Sequence, residues 1–154
     1  MTTPLERAPA ELAAGRDVWL KREDTHELGA FKWRAALRVV QRHASEGAPA
    51  IVTASTGNHG IATAWACDCA GVRAIVYAPE NTSATKQDLV QDLGAELRLV
   101  DGDLDSAKDR AKTDSELWGL PFFEDGAEPE QCDAYGGIAD EWERAVRRPA
   151  SFPA

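Results

Sequence analysis

With 154 residues, 44% of them hydrophobic and 28% charged, the chain is long enough for one domain with a real core and too mixed for a disordered or fibrous class. Its 17 Lys and Arg against 26 Asp and Glu leave a formal charge of -9, which repels nucleic acid and anionic membranes. The one dense basic run, 144–148, is interrupted by Ala145 and Val146, so no nucleic-acid partner is expected.

In chain order, residues 1–17 carry turn and short-helix signals punctuated by Pro4, Pro9 and Gly15. Residues 18–23 read as a short strand. A helix is expected over about 31–44, because Trp33, Ala36, Leu37 and Val40 recur at three and four residues before Gly47-Ala48-Pro49 stops them. From Ala50 the pattern turns regular. Strands at 50–54, 73–77 and 96–100 alternate with helices at 58–70, 83–93 and from Leu104 to Trp118, followed by a short strand at 121–123 and a helix at 129–147. Such alternation predicts an α/β fold, a small Rossmann-like parallel sheet flanked by helices. Residues 149–154 read as an unstructured tail.

No apolar run approaches the roughly 20 residues that cross a bilayer, and Met1-Thr2-Thr3-Pro4 is no signal peptide, so a cytoplasmic protein without a membrane partner is expected. Cys67, Cys69 and Cys132 fit neither a disulfide framework nor a zinc site and read as buried small hydrophobes in a reducing compartment. The run Asp101-Gly102-Asp103-Leu104-Asp105 lacks the later glycine and glutamate of a calcium loop and reads as a helix start; no metal is expected.

Two stretches carry chemistry. Ser55-Thr56-Gly57-Asn58-His59-Gly60 lies between a strand and a helix, where unpaired backbone N–H groups and the helix dipole favour an anion. Equally, Ser55 or Thr56 could simply cap the helix. The turn has neither a dinucleotide fingerprint nor a Walker A loop, so a carboxylate is its natural anion. Lys32 follows Gly29-Ala30-Phe31, where partial burial would lower its pKa and make the amine a nucleophile toward a carbonyl. Lys21, in a charged run, and Lys86, on a polar helix face, are weaker candidates. His59 reads as a packing or hydrogen-bonding residue more readily than as a general base.

Five segments in order, Leu20 to Asp24, Gly29 to Arg34, Ser55 to Gly60, Tyr77 to Glu80 with Lys86 and Leu93 to Glu96, and Tyr135 to Glu141, resemble the fold-type II pyridoxal-phosphate enzymes. That superfamily includes threonine/serine dehydratases, cysteine synthase, threonine synthase and the tryptophan synthase β-subunit. The resemblance implies that Lys32 forms the Schiff base with the cofactor, pyridoxal 5'-phosphate. It implies further that Asn58 bonds the ring hydroxyl oxygen, and that Ser55, Thr56, Gly57, Asn58 and His59 bind the carboxylate of an amino acid substrate. The Ser-Thr-Gly-Asn-His run is closer to the dehydratase and ammonia-lyase branch, which eliminates water or ammonia from an amino acid to leave a 2-oxo acid. A β-replacement synthase and a non-catalytic small-molecule-binding remnant are the alternatives.

Family members are considerably longer, with their phosphate-binding glycine loop beyond the segment matching Tyr135 to Glu141. Residues 1–45 are therefore expected to be the N-terminal piece of a larger, largely missing cofactor domain, and 46–148 a small α/β domain. The expectation is a truncated or split enzyme, completed in the second case by a C-terminal chain. Homo-oligomer formation is left open.

Overall fold

The computed structural model describes residues 1–147, so Arg148 and the tail expected at 149–154 lie outside the described residues. A parallel sheet is built from β3 (Ala50–Ala54), β4 (Arg73–Pro79) and β5 (Glu96–Val100), in that order. Helices α3 (Asn58–Ala70) and α4 (Ala84–Asp92) make the two crossovers, and α5 (Leu104–Trp118) follows β5. The strand expected at 121–123 contributes only one parallel bridge, Val52 with Phe122. Pro121 has no N–H to donate and the run is three residues long, so the ladder reduces to Val52 N–H on the Pro121 carbonyl and Phe123 N–H on the Val52 carbonyl.

Strand periodicity divides the core. Ile51, Ala74 and Val76 face α3, Val90 of α4 and α2 (Trp33–Ser45), whereas Ala50, Val52, Ala54, Ile75 and Tyr77 face Ala107 and Ala111 of α5. Both faces of β3 and β4 are thus covered, and apart from Thr53 and Arg73 these strands carry no hydrogen-bonding or charged side chain but the Tyr77 hydroxyl. Helix α3 lies between the sheet and α2 and is buried from His59 to Cys67. It ends at Gly71, whose φ of 67° makes the left-handed cap. Asp103 caps α5, its Oδ1 accepting from the Ser106 N–H at 2.9 Å, so the acidic run is the expected helix start.

The N-terminal segment departs from expectation. Leu5–Arg7 forms a strand, β1, antiparallel to β2 (Trp19–Lys21), with the short helix α1 (Ala10–Ala13) between them. Three residues bounded by Pro4 and Pro9 carry too little periodicity to reveal β1. Helix α6 (Pro129–Val146) opens with Pro129 in its first turn and a capping box in which Gln131 accepts from the Glu128 N–H.

An ionic quartet around the buried Arg34 joins hairpin, α2 and α6. Arg34 donates to Glu23 at 2.8 Å and to Glu141 at 2.7 Å, and Lys21 donates to Glu141 at 2.7 Å. Burial opposes ionisation of Glu141, but hydrogen bonds from Arg34 and Lys21 outweigh it and bring the carboxyl down to about 2.

Of the three thiols only Cys67 is buried, and burial pushes it up to about 12. Cys69 and Cys132 are exposed, correcting the expectation that all three pack inside. They fall on the outward sides of α3 and α6, positions that a count of cysteines cannot reveal. Among the described residues no helix is long and apolar enough to cross a membrane, and no group of three His, Cys, Asp or Glu could hold a metal.

Candidate active site

The chain runs β3, β4, β5 outward across the sheet, then returns through α5 to place residues 121–123 on the other side of β3. Connections therefore reverse direction at β3. A crevice opens beyond the carboxyl ends of strands at such a reversal, and ligands of open α/β sheets bind there. Both loops flanking this crevice carry polar residues, Ser55 to Gly60 after β3 and Glu124-Asp125 after Phe123.

At that point lies a cleft of about 440 Å³ lined by Lys32, Ala54 to His59, Lys86, Leu104, Lys108 and Asp125. The two stretches singled out in the sequence thus meet. Ser55 N–H is tied to the Tyr77 carbonyl, and Ser55 Oγ accepts from Gly57 N–H at 3.1 Å. The hydroxyl therefore closes a local turn and does not cap α3, whose N-cap Gly57 makes no side-chain cap. The first-turn N–H groups of α3 are left to face the cleft. A Cβ on Gly60 would lie 3.1 Å from Ser55 Cβ and 3.2 Å from Val76 Cγ1, so the turn and helix approach this closely only with glycine there.

Asn58 is exposed at the rim, its side chain without a protein partner among the described residues. Lys86, expected on a polar helix face, instead projects toward the turn; a Cβ on Gly57 would lie 3.5 Å from its Nζ. It has no ion-pair partner among the described residues, so it adds an uncommitted positive charge to the helix N-terminus. An apolar cleft of about 500 Å³ with Trp65 and Leu89 in its wall adjoins the first, sharing Asn58 and Lys86.

Lys32 is the N-cap of α2. Its Nζ donates to both carboxylate oxygens of Asp125, at 2.7 and 2.8 Å, and lies 5.4 Å from the Phe31 ring and 5.7 Å from the Tyr135 ring. Its side chain is 23% exposed. Asp125 is the site residue that sequence reasoning misses. It is 93 positions from Lys32 in a loop without a motif, and only its proximity to Phe123, anchored beside β3, could have signalled it.

The His59 ring turns inward, 5% exposed, packing edge-on against Phe123 at 4.6 Å. Burial holds its pKa below the ordinary value, against the opposing pull of Asp125, so the ring is neutral near pH 7. Its Nε2 lies 3.3 Å from the Phe123 carbonyl and its Nδ1 3.7 Å from Asp125. The structure thus gives the side chain a packing role, while the His59 backbone stays at the open helix end.

This constellation fits one end of a pyridoxal phosphate: an amine on the cleft wall, an unpartnered amide at the rim and an anion site beside both. A second backbone cradle able to take a phosphate is not among the residues lining the cleft.

The chain is similar to several known proteins. L-threonine dehydratase biosynthetic IlvA of Pasteurella multocida is 32% identical over 141 residues, 90% of this chain but 28% of that protein. The homologous enzyme of Mycobacterium tuberculosis strain H37Rv is 36% identical, with 81% of this chain and 32% of that one aligned. The processed form of threonine deaminase isoform 2 from Solanum lycopersicum superimposes with a TM-score of 0.87 at 30% identity, over 93% of this chain and 40% of its own. The chain thus spans about a third of the curated relatives and less than half of that solved structure. A profile of the family described as "Pyridoxal-phosphate dependent enzyme" matches residues 1–152, and the chain belongs to that family.

Proposed function

We propose that this chain carries the lysine-and-carboxylate half of a pyridoxal-phosphate-dependent lyase that eliminates water or ammonia from a hydroxy- or amino-substituted amino acid. The single observation that carries the reading is the convergence of Lys32, Asn58 and the uncapped N-terminus of α3 on one cleft. Threonine dehydratases among its relatives favour elimination over β-replacement.

When bound, the cofactor supplies an aldehyde for the lysine and a ring that accepts the electrons of a broken Cα bond. Lys32 would hold that aldehyde through Nζ and, when its amine is free, would take the α-proton at the same atom. To do either it must leave Asp125. Asn58 holds the ring hydroxyl oxygen by its amide. The backbone N–H groups at 58–60, with the Ser55 and Thr56 hydroxyls, would hold the substrate carboxylate, and Lys86 adds a positive charge to that end.

The phosphate grip belongs to the portion of the fold that this chain does not span. The division into 1–45, part of the larger domain, and 46–148, the smaller one, is a proposal about that longer fold. So is the choice between a truncated and a split enzyme, in which a C-terminal chain or an oligomer completes the site. Three free thiols support a reducing, cytoplasmic setting.

Titrating the protein with pyridoxal phosphate should produce the absorbance band of lysine-bound cofactor, fixed to Lys32 by borohydride and located by mass spectrometry. The reading fails if Lys32→Ala gives the same spectrum as wild type. Saturable amino acid binding that survives Lys32→Ala but is lost in Asn58→Ala would favour the non-catalytic remnant.

A further inference from the structure

The Tyr135 hydroxyl is buried yet has no hydrogen-bond partner among the described residues. Leaving such a group unpaired costs about 1–3 kcal/mol, which an acceptor reached in another state would recover. Its ring stands edge-on to Phe31 with centroids 5.0 Å apart, and the Lys32 ammonium lies within 5.7 Å of both rings. Burial first, and then the negative charge of Asp125, hold the phenol in its neutral, donating form, pushed up to about 12. Tyr135 sits in the middle of α6, braced to α2 by the Arg34–Glu141 pair, so it is placed by rigid elements rather than by a loop.

Asp125 creates the need. While Lys32 is bonded to it the carboxylate is satisfied on both oxygens. Once Lys32 swings into the cleft, Asp125 loses its one close cation, because His59 is neutral and 3.7 Å away. We propose that Tyr135 is a positioning residue for Lys32: with Phe31 it seats the resting amine, and its hydroxyl donates to Asp125 when Lys32 leaves, stabilising the released state. The exchange swaps an ammonium donor for a phenol donor on one carboxylate and requires no proton transfer. It rests on the proposed role of Lys32.

A probe that does not need the cofactor separates the two ideas. The rate of reductive methylation of Lys32 Nζ by formaldehyde and cyanoborohydride, read by mass spectrometry against the other lysines of the same molecule, reports how readily the amine leaves Asp125. Tyr135→Phe keeps the ring and its packing and should slow methylation about ten- to a hundredfold, the expected loss of one hydrogen bond to a charged group. In Asp125→Asn, where no carboxylate needs a donor, Lys32 should react faster than in wild type, and adding Tyr135→Phe should change nothing further. Equal or faster reaction in Tyr135→Phe alone, or a deficit that persists in the Asp125→Asn background, overturns the proposal. Coupling seen by methylation without any cofactor band at Lys32 would instead sink the lyase reading and leave this one standing.

Discussion

Single residues in the cleft are held by non-additive, short-range constraints. Gly60 is the sharpest, since any Cβ meets both Ser55 and Val76 within 3.2 Å. Gly60→Ala should cost about 1–3 kcal/mol in chemical denaturation, as overpacking does, and should loosen the Ser55–Gly57 turn enough to weaken binding of a carboxylate probe. The lysine behaves differently. Its pair with Asp125 is partly open to solvent, so Lys32→Ala should change stability by no more than about 1 kcal/mol while abolishing cofactor attachment. His59 and His26 are both buried and held below the ordinary 6.5 by burial. A histidine whose folded pKa is lowered contributes fully above its unfolded value and loses that contribution as pH falls. Melting temperature should therefore decline once pH drops below 6.5, and replacing His59 with Phe should flatten part of that decline.

Between elements, the Arg34 quartet fastens the hairpin β1–β2 and helix α6 to the N-terminal turn of α2, two residues from Lys32. With two cations and two carboxylates the cluster is neutral as a set, and removing one member strands its partners in a poorly hydrated site. Glu141→Gln should destabilise the fold by about 3–5 kcal/mol, whereas an apolar replacement of the whole quartet should cost far less. The pH signature is the reverse of an exposed carboxylate's indifference. Glu141 is depressed from 4.5 to about 2, so its contribution is complete above 4.5 and is lost as pH falls from 4.5 toward 2. Acid titration followed by tryptophan fluorescence should show that window narrowing in Glu141→Gln.

At the scale of the whole molecule, the proposed cofactor cleft is open and no phosphate cradle is among the described residues that line it. The chain aligns with 28% of one threonine dehydratase and covers 40% of a solved threonine deaminase. On the proposed reading, cofactor held by this chain at its aldehyde and ring ends would lack several charge-assisted hydrogen bonds, each worth about 1.5–3 kcal/mol. Co-expression with a polypeptide supplying the rest of the fold should tighten pyridoxal phosphate binding at least tenfold, as measured by equilibrium dialysis of the copurified complex against this chain alone.

Local order was legible because period-two and period-3.6 patterns act over a few residues. The bounds of β3, α3, β5 and α5 follow from apolar alternation, and from turn chemistry such as Asp103 and Gly71 at helix ends. Lys32 and the Ser55 to Gly60 turn stood out because each carries its own local signature. Nothing local announces β1, whose partner residues are 12 to 16 positions away, or the exposure of Cys69 and Cys132. The reversal of connections at β3 is a property of strand order, not of any segment. That reversal brings the Asp125 loop beside the Ser55 turn, and the packing of α6 on α2 brings Tyr135 under Lys32. Sequence by itself therefore singled out the residues proposed to do chemistry. Only tertiary structure decided which carboxylate holds the lysine and which phenol lies beneath it, because long-range packing sets both.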